Sequence, residues 1–593
     1  MADPGRRGRR RRARVIPSST YRLQLGPDLG FVAAAGLTAY LARLGVSHLY
    51  ASPSLQAAPG SQHGYDVVDP RRVNAELGGS RAHQRLSEAL GRHGLGQVLD
   101  IVPNHLAISG PENPWWWDVL ENGPSSRYAR FFDVDWDPPE ARDRNVVLLP
   151  ILGDHYGRVL EAGELALERH GGSVSLRYHD RVLPLSPRSI EGMLAAAASR
   201  ARSDELAFLA QAHGALPRST ATDGPSVRRR HRDKEVLRGL LSRLLAEQPR
   251  VSRALDEELA TTSADVDAMD ALLARQNYRL ARWQAAGRDL GYRRFFDVTT
   301  LIGLRVEDPL VFDDAHALVK RWVARGVLDG LRVDHPDGLY DPATYLRRLR
   351  AASPRGWLIV EKILMAGESL PEDWPVDGST GYDFLRDVTG VLVDRSSEAA
   401  FDVLLARLTG AARGFHAIER EARLVILRDT LGSELNRLSA RFLAICEGHR
   451  RYRDFTRHEL HEALREVAAS MPVYRTYARP EAGVISRGTW PSSRLRWRPP
   501  GRPGRTSTGS SWASWPTSSP CASAGPTRPT SWVVSSSSAG RSWPRAWRTP
   551  RSTATCAWWR STTWAATRSA SGSTCPRSTP PTRSGARAGR PPC

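Results

Sequence analysis

Up to Glu361 the chain repeats one pattern, a short apolar run, and from the second run on polar or charged residues sit at its C-terminal end. The runs are residues 20–25 (TYRLQL), 46–50 (VSHLY), 97–102 (QVLDIV), 327–334 (VLDGLRVD) and 357–361 (WLIVE). Helical spacing precedes the second run, through Leu37, Leu41 and Leu44, and the third, through Leu86, Leu90 and Leu95. Strands alternating with helices imply a parallel sheet or a βα barrel. Buried ionised groups are expensive unless paired or used. In a (β/α)₈ barrel the active site is built at the C-terminal ends of the strands, which is where these runs carry their charge. The expected fold is α/β, a TIM-type (β/α)₈ barrel.

More than 200 residues separate the third run from the fourth, too many for one crossover. Part of this insert is helical, with Val236, Leu237, Leu240, Leu241, Leu244 and Leu245 at helical spacing. Residues 399–464 are again mostly helical, through Leu404, Leu405 and Leu408 and later Leu424, Leu427 and Leu431. These leucine stripes are expected to form core. The reading divides the chain into a basic head (1–14), a first part of the barrel (15–125), a largely helical insert (126–300), a continuation of the barrel (301–390), a helical subdomain (391–486) and an aberrant tail (487–593).

The formal charge of +21 invites a nucleic-acid reading. Its distribution argues otherwise. Residues 487–593 hold 17 Arg and no acidic residue, and residues 1–14 hold seven Arg against Asp3, which leaves residues 15–486 near −2. That is the balance of an ordinary enzyme, and no nucleic-acid partner is expected. The body contains one cysteine, Cys446, so no disulfide framework is expected there. There is no run of 18 apolar residues and no apolar segment after the Arg-rich head. Neither a membrane span nor a secretion signal is expected, and a reducing cytoplasm is the expected location.

The tail has ten of the 18 Trp and no sustained hydrophobic period. Disordered segments are poor in aromatic residues, so disorder alone does not account for it. The body is rich in Ala, Arg and Gly, as a GC-rich gene would give, and such a gene read out of frame yields Arg, Ser, Pro, Thr, Trp and Ala. A shift of reading frame near Arg487 is therefore expected. Residues 563–572 (TWAATRSASG), read in another frame with GC-rich codons, give Val-Gly-Gly-Asp-Pro-Glu-Arg-Phe-Gly. The alternative is a low-complexity tail that binds RNA.

Four segments then carry a specific resemblance. "DIVPNH" (100–105), "GLRVDH" (330–335) and "IVEKIL" (359–364) resemble three of the four signature regions of the α-amylase superfamily, glycoside hydrolase family 13. "SQHGYDVVDP" (61–70) resembles its Gly-Tyr-Asp segment. With "PSSTYRLQL", "YARFFDVDWDP", "LLPILGDHYG", "YRLARWQAAGRDLGYRRFFDV" and "LRVDHPDGLYDP", the wider context resembles the maltooligosyl trehalose synthase family over about residues 15–486. Gly291 departs from the family, which tends to have Asn there.

The resemblance implies Asp334 as nucleophile and Glu361 as general acid/base. It implies Tyr65 and His105 beside the scissile bond, with His63 in the same Gly-Tyr-Asp segment, and His335 and Lys362 lining the neighbouring subsite. It implies a maltooligosaccharide or glycogen-derived α-1,4-glucan as substrate, and no cofactor or metal. Retaining glycosyl transfer needs two carboxyls about 5 Å apart, one ionised and one protonated. Arg332 lies two residues before Asp334, on the same strand face, where it would keep Asp334 ionised. Glu361 starts protonated if it lies in an apolar, like-charged site. The bland readings are a structural Asp334–Arg332 pair, a surface Glu361–Lys362 turn, and core roles for His105 and Tyr65. Asp66 and Asp100 are expected to hold loops and helix ends. Trp115–Trp117 are expected in the core, although flat faces of this kind also suit sugars.

The expected activity is intramolecular transglucosylation, an isomerase reaction, with an amylase-type retaining hydrolase as the alternative. The superfamily's fourth signature carries a His-Asp pair whose Asp is a third essential carboxylate. There is no His after His461 and no Asp or Glu after Glu481. The region is therefore expected beyond Cys593, the barrel is expected to be incomplete at its C-terminus, and the 593-residue chain by itself is expected to be inactive.

Overall fold

A computed structural model describes residues 16–108, 110–410 and 414–477. The basic head, the 487–593 tail and the frame shift read near Arg487 lie outside the described residues.

Six strands form one curled sheet: β1 (Thr20–Leu23), β2 (His48–Ala51), β3 (Gly96–Ile101), β4 (Gly330–Val333), β5 (Trp357–Val360) and β6 (Gly378–Ser379). Their spatial order is their chain order, and every neighbouring pair is parallel. This is a contiguous arc of a (β/α)₈ barrel. Helix α1 (Phe31–Arg43) links β1 to β2, and α2 (Gly79–Arg92) leads into β3. Helix α3 (Ala317–Ala324) precedes β4, and α4 (Pro342–Ala352) joins β4 to β5. Each buries one stripe at helical spacing: Phe31, Ala34, Thr38 and Leu41 in α1, and Ala82, Leu86, Ala89 and Leu90 in α2. Helix α4 starts where Asp341 accepts the Thr344 backbone N–H, with Pro342 in the first turn.

The strands are shorter than their apolar runs. In β4 the pairing begins at Gly330 rather than Val327, because the chain must first leave α3. Gly326 takes a left-handed φ of 71° and the Val327 N–H still bonds back to Trp322. Asp329 then ties the strand starts together by accepting the Gln97 N–H at 3.0 Å.

Residues 126–300 contain five helices of eight residues or more, Glu191–Ala201, Asp204–Gly214, Gly224–Glu247, Pro249–Ala264 and Val266–Leu273, and two shorter ones, Tyr156–Glu161 and Ala286–Asp289. They also contain strands that the helical reading passed over. Leu165–His170, Ser173–Tyr178 and Arg181–Pro184 form an antiparallel sheet, and Val147–Leu152 pairs with Tyr278–Arg282.

Two of the leucine stripes need correction. Leu237, Leu241, Leu244 and Leu245 are buried, whereas Val236 and Leu240 on the same helix are exposed. Leu404, Leu405 and Leu408 are also exposed, and only the later helices close a small core around Leu427, Leu435, Leu464, Ala468 and Ala469. Periodicity marks an apolar face but not whether a partner covers it. Trp115 and Trp116 are core: both are buried, edge-on to Phe131 and Phe132. Among the described residues no helix is long and apolar enough to cross a membrane.

Candidate active site

The register of the sheet assembles the site. Asp100 of β3 pairs with Arg332 of β4, and Val333 of β4 pairs with Val360 of β5. Asp334 and Glu361 therefore leave adjacent strands side by side. The Asp334 N–H donates to Ile101 O, and the Glu361 N–H donates to Val333 O, both at 2.9 Å.

Arg332 is the hub. Its Nη1 donates to Asp334 Oδ1 at 2.7 Å and to Asp100 Oδ1 at 2.6 Å, while its Nη2 lies 2.9 Å from Glu361 Oε1. One guanidinium thus holds three carboxylates, two of which are the expected pair. Burial works against the charge on Arg332, but Asp100, Asp334 and Glu361 together push its pKa up. The Asp334 side chain is 8% exposed and that of Glu361 is 23% exposed, so Glu361 is the more accessible of the two.

The expectation that Arg332 keeps Asp334 ionised needs correction. Burial, and then the Glu361 carboxylate, push Asp334 well above the usual carboxylate range, and Arg332 only partly opposes them. The reason is stoichiometric, since Arg332 is divided among three acids. Asp334 therefore keeps its proton to higher pH than an isolated aspartate.

Asp100 does more than hold a loop. It is buried and accepts the hydroxyls of Tyr65 at 2.5 Å and Tyr50 at 3.3 Å. Arg22 of β1 reaches Asp100 Oδ2 at 3.1 Å and donates to the Tyr65 hydroxyl at 2.8 Å. Burial and the Asp100 charge push both tyrosine hydroxyls up, so they stay protonated donors. Arg22 and Tyr50 were not singled out in the sequence. The available signal was their position on β1 and β2, where they are register partners.

The remaining expected residues divide. Tyr65 stands in the network, with Arg332 5.9 Å from its ring centre. His63 is largely exposed beside it and its Nδ1 accepts the Tyr65 N–H at 3.0 Å. His105 is buried and donates through Nε2 to Tyr65 O at 3.1 Å, with its ring 4.3 Å from that of Phe295. Burial pushes its pKa down to about 3, so it is neutral. It supports the Tyr65 segment from behind. His335 is left-handed, with φ 40°, and its N–H donates to Glu361 Oε2 at 3.1 Å. Its ring lies 5.2 Å from Phe295 and 5.1 Å from Phe296.

Lys362 does not line a subsite. It is fully buried, and its Nζ is held 3.3 Å from Asp337 and 3.0 Å from Glu368. Lys362 lies beyond the end of β5, where the chain turns and its N–H donates to Val360 O at 3.0 Å.

A second arginine, Arg293, fastens the insert to the mouth. It donates to Asn104 Oδ1 at 2.7 Å, Gly338 O at 3.1 Å and Leu304 O at 2.7 Å, and it pairs with Asp133. Among the described residues no group of three or more His, Cys, Asp or Glu side chains is arranged to hold a metal ion.

Comparison with known proteins agrees with this geometry. Residues 36–156 match the alpha-amylase catalytic domain. A maltooligosyl trehalose synthase assigned in Mycobacterium tuberculosis (strain CDC 1551 / Oshkosh) is 38% identical over 427 residues, covering 71% of this chain and 44% of that protein. The structure of maltooligosyltrehalose synthase from Arthrobacter ramosus superposes with a TM-score of 0.58 at 35% identity, covering 78% of this chain and 48% of that one. DSM5389 glycosyltrehalose synthase gives a TM-score of 0.58 at 30% identity, covering 77% and 51%. The chain spans about half the length of the curated relatives it matches. With a parallel barrel arc, the signature segments at its mouth and relatives matched across most of the described body, this chain carries an alpha-amylase catalytic segment and is similar, over that body, to about half the length of the maltooligosyl trehalose synthases.

Proposed function

We propose that the site carries out intramolecular transglucosylation on a maltooligosaccharide or another α-1,4-glucan, converting its reducing-end α-1,4 bond to α,α-1,1. The observation that carries the reading is the placement of Asp334 and Glu361 on one guanidinium, at the ends of adjacent barrel strands.

Asp334 attacks the anomeric carbon of the penultimate sugar as Glu361 protonates the departing O4 of the terminal glucose. The C1–O4 bond breaks and a glucosyl ester forms on Asp334. The step requires Asp334 as its anion, held on Arg332, and Glu361 in its acid form. The released glucose stays bound and turns. Its anomeric hydroxyl then attacks the anomeric carbon of the ester, breaking the bond to Asp334 and releasing its carboxylate, while Glu361, now the base, takes the hydroxyl proton. Two inversions give net retention. Tyr65, fixed by Asp100 and Arg22, forms the wall beside the reacting sugar, with His63 at its rim. Water entering during the turn would divert the ester to hydrolysis.

An amylase-type retaining hydrolase uses the same pair. The family relatives favour the isomerase. The expected location is the cytoplasm, and no nucleic acid takes part.

Product analysis separates the two reactions. Maltopentaose is incubated with the chain and with a form that carries an in-frame C-terminal half. Loss of the reducing end at unchanged mass supports isomerisation, and release of free glucose supports the hydrolase.

A further inference from the structure

The turns that follow the two catalytic strands are fastened to each other by a buried charge pair outside the reaction. Lys362 follows Glu361 directly, and Asp337 lies three residues after Asp334. Their side chains meet at 3.3 Å. Lys362 is fully buried and also pairs with Glu368 at 3.0 Å. Asp337 is buried as well and accepts the hydroxyl of Tyr477. Arg475 donates to Asp337 O at 3.1 Å and to Leu339 O at 2.7 Å, so the 336–340 turn is held along its backbone. The Tyr474 and Tyr477 rings lie 5.9 and 5.8 Å from Lys362 Nζ and close the pocket around it.

Between these anchored points stands His335. Its left-handed backbone aims its N–H at Glu361 Oε2. A left-handed non-glycine residue persists only where its surroundings over-determine it. Here Phe295 and Phe296 fix the ring, and the Asp337–Lys362 pair fixes the turn that follows.

A buried ion pair is weak grounds for stability, since apolar residues of the same volume hold a core as well or better. An apolar pair could not set the direction of two backbones against each other.

We propose that Lys362, with Asp337 and Tyr477, is a positioning device that sets the spacing of Asp334 and Glu361 and the bond from the His335 N–H to Glu361. This rests on the reading of Asp334 and Glu361 as the glycosyl-transfer pair. Lys362 touches neither the sugar nor the reacting atoms and acts through the two turns.

The test uses the form that carries an in-frame C-terminal half and reads the rate of transfer from maltopentaose, which needs Glu361 as the acid. The glucosyl ester on Asp334 is trapped separately with an α-glucosyl fluoride carrying a second fluorine that slows turnover, and located by peptide mass spectrometry. K362M should slow transfer from maltopentaose on the order of 10²-fold, the cost of a misplacement near 1 Å, with the half-saturating concentration little changed. K362R, which can still reach Asp337, should recover part of the rate. Y477F removes only the hydroxyl bond to Asp337 and should give a smaller loss in rate without loss of affinity. It also decides the matter if K362M fails to fold. Parental rates in K362M or Y477F, or a loss confined to affinity, or no recovery in K362R would each overturn the device. Absence of any ester on Asp334 in the otherwise unchanged form that carries the in-frame C-terminal half would instead overturn the glycosyl-transfer reading, and the device with it.

Discussion

Replacing Asp334 with Asn should abolish chemistry and yet stabilise the protein towards neutral pH. Asp334 is buried, and the Glu361 carboxylate shares its guanidinium. At the roughly 5 Å typical of retaining pairs, two like charges repel by roughly 3 kcal/mol at an effective dielectric constant near 20. The part of Arg332 available to Asp334 offsets some of this, because Asp100 and Glu361 hold the same group. A net gain of about 1–3 kcal/mol is expected for D334N, since an amide keeps an oxygen for Arg332 and carries no charge. The sign follows from linkage. The pKa of Asp334 is raised in the folded state above the ordinary value of 3.8. Below that value the acid is protonated both folded and unfolded and costs nothing. As pH rises through the window between the two values, the folded wild type must give up a proton it binds more tightly than the unfolded chain, so its stability falls relative to D334N. Thermal unfolding of both proteins from pH 4 to pH 9 reads this directly. The gap should be near zero at the acid end and open in favour of D334N towards neutral pH, by about 2–4 °C for each kcal/mol in a domain of moderate size. A wild type that is more stable than D334N at pH 7, with the gap widening as pH rises, would show that Arg332 stabilises ionised Asp334 and that the burial argument is wrong.

E361Q should slow transfer from an oligosaccharide by on the order of 10²–10⁴, the worth of a positioned acid, while ester formation from a glucosyl fluoride, whose leaving group needs no proton, is largely spared; a loss below tenfold on the oligosaccharide would remove Glu361 as the acid. D100N leaves Arg332, Arg22 and two tyrosine hydroxyls around a neutral amide, and should cost about 3–5 kcal/mol in denaturant unfolding; a change under 1 kcal/mol would mean that the network is slack. A fragment of residues 15–486, which carries a charge near −2, should not shift random RNA at physiological salt; tight, salt-sensitive binding in a mobility assay would contradict the charge argument.

What could be read in the sequence was whatever one strand decides. An apolar run that ends in charge located the ends of β3, β4 and β5, and alternation along β4 placed Arg332 on the same side as Asp334. Relations between strands were not readable, because they depend on register. Asp100 became the partner of Arg332 only once β3 and β4 were aligned, and Arg22 joined them from a strand 78 residues away. Burial was the other gap. His105 and Lys362 sit beside residues of the mouth in sequence, yet both point into closed surroundings. Leu404, Leu405 and Leu408 show the reverse, a helical apolar face that the described residues leave exposed. Nothing in a single sequence distinguishes an apolar face that is covered from one that is not.

The central claim is that Asp334 and Glu361 form one retaining pair, with Asp334 the nucleophile. Peptide mass spectrometry after the slow fluoride donor tests it most directly. The account predicts a single glucosyl ester on the peptide containing Asp334, absent in D334N and formed at a comparable rate in E361Q. An ester on another carboxylate, or transfer that continues unchanged in D334N, would contradict it.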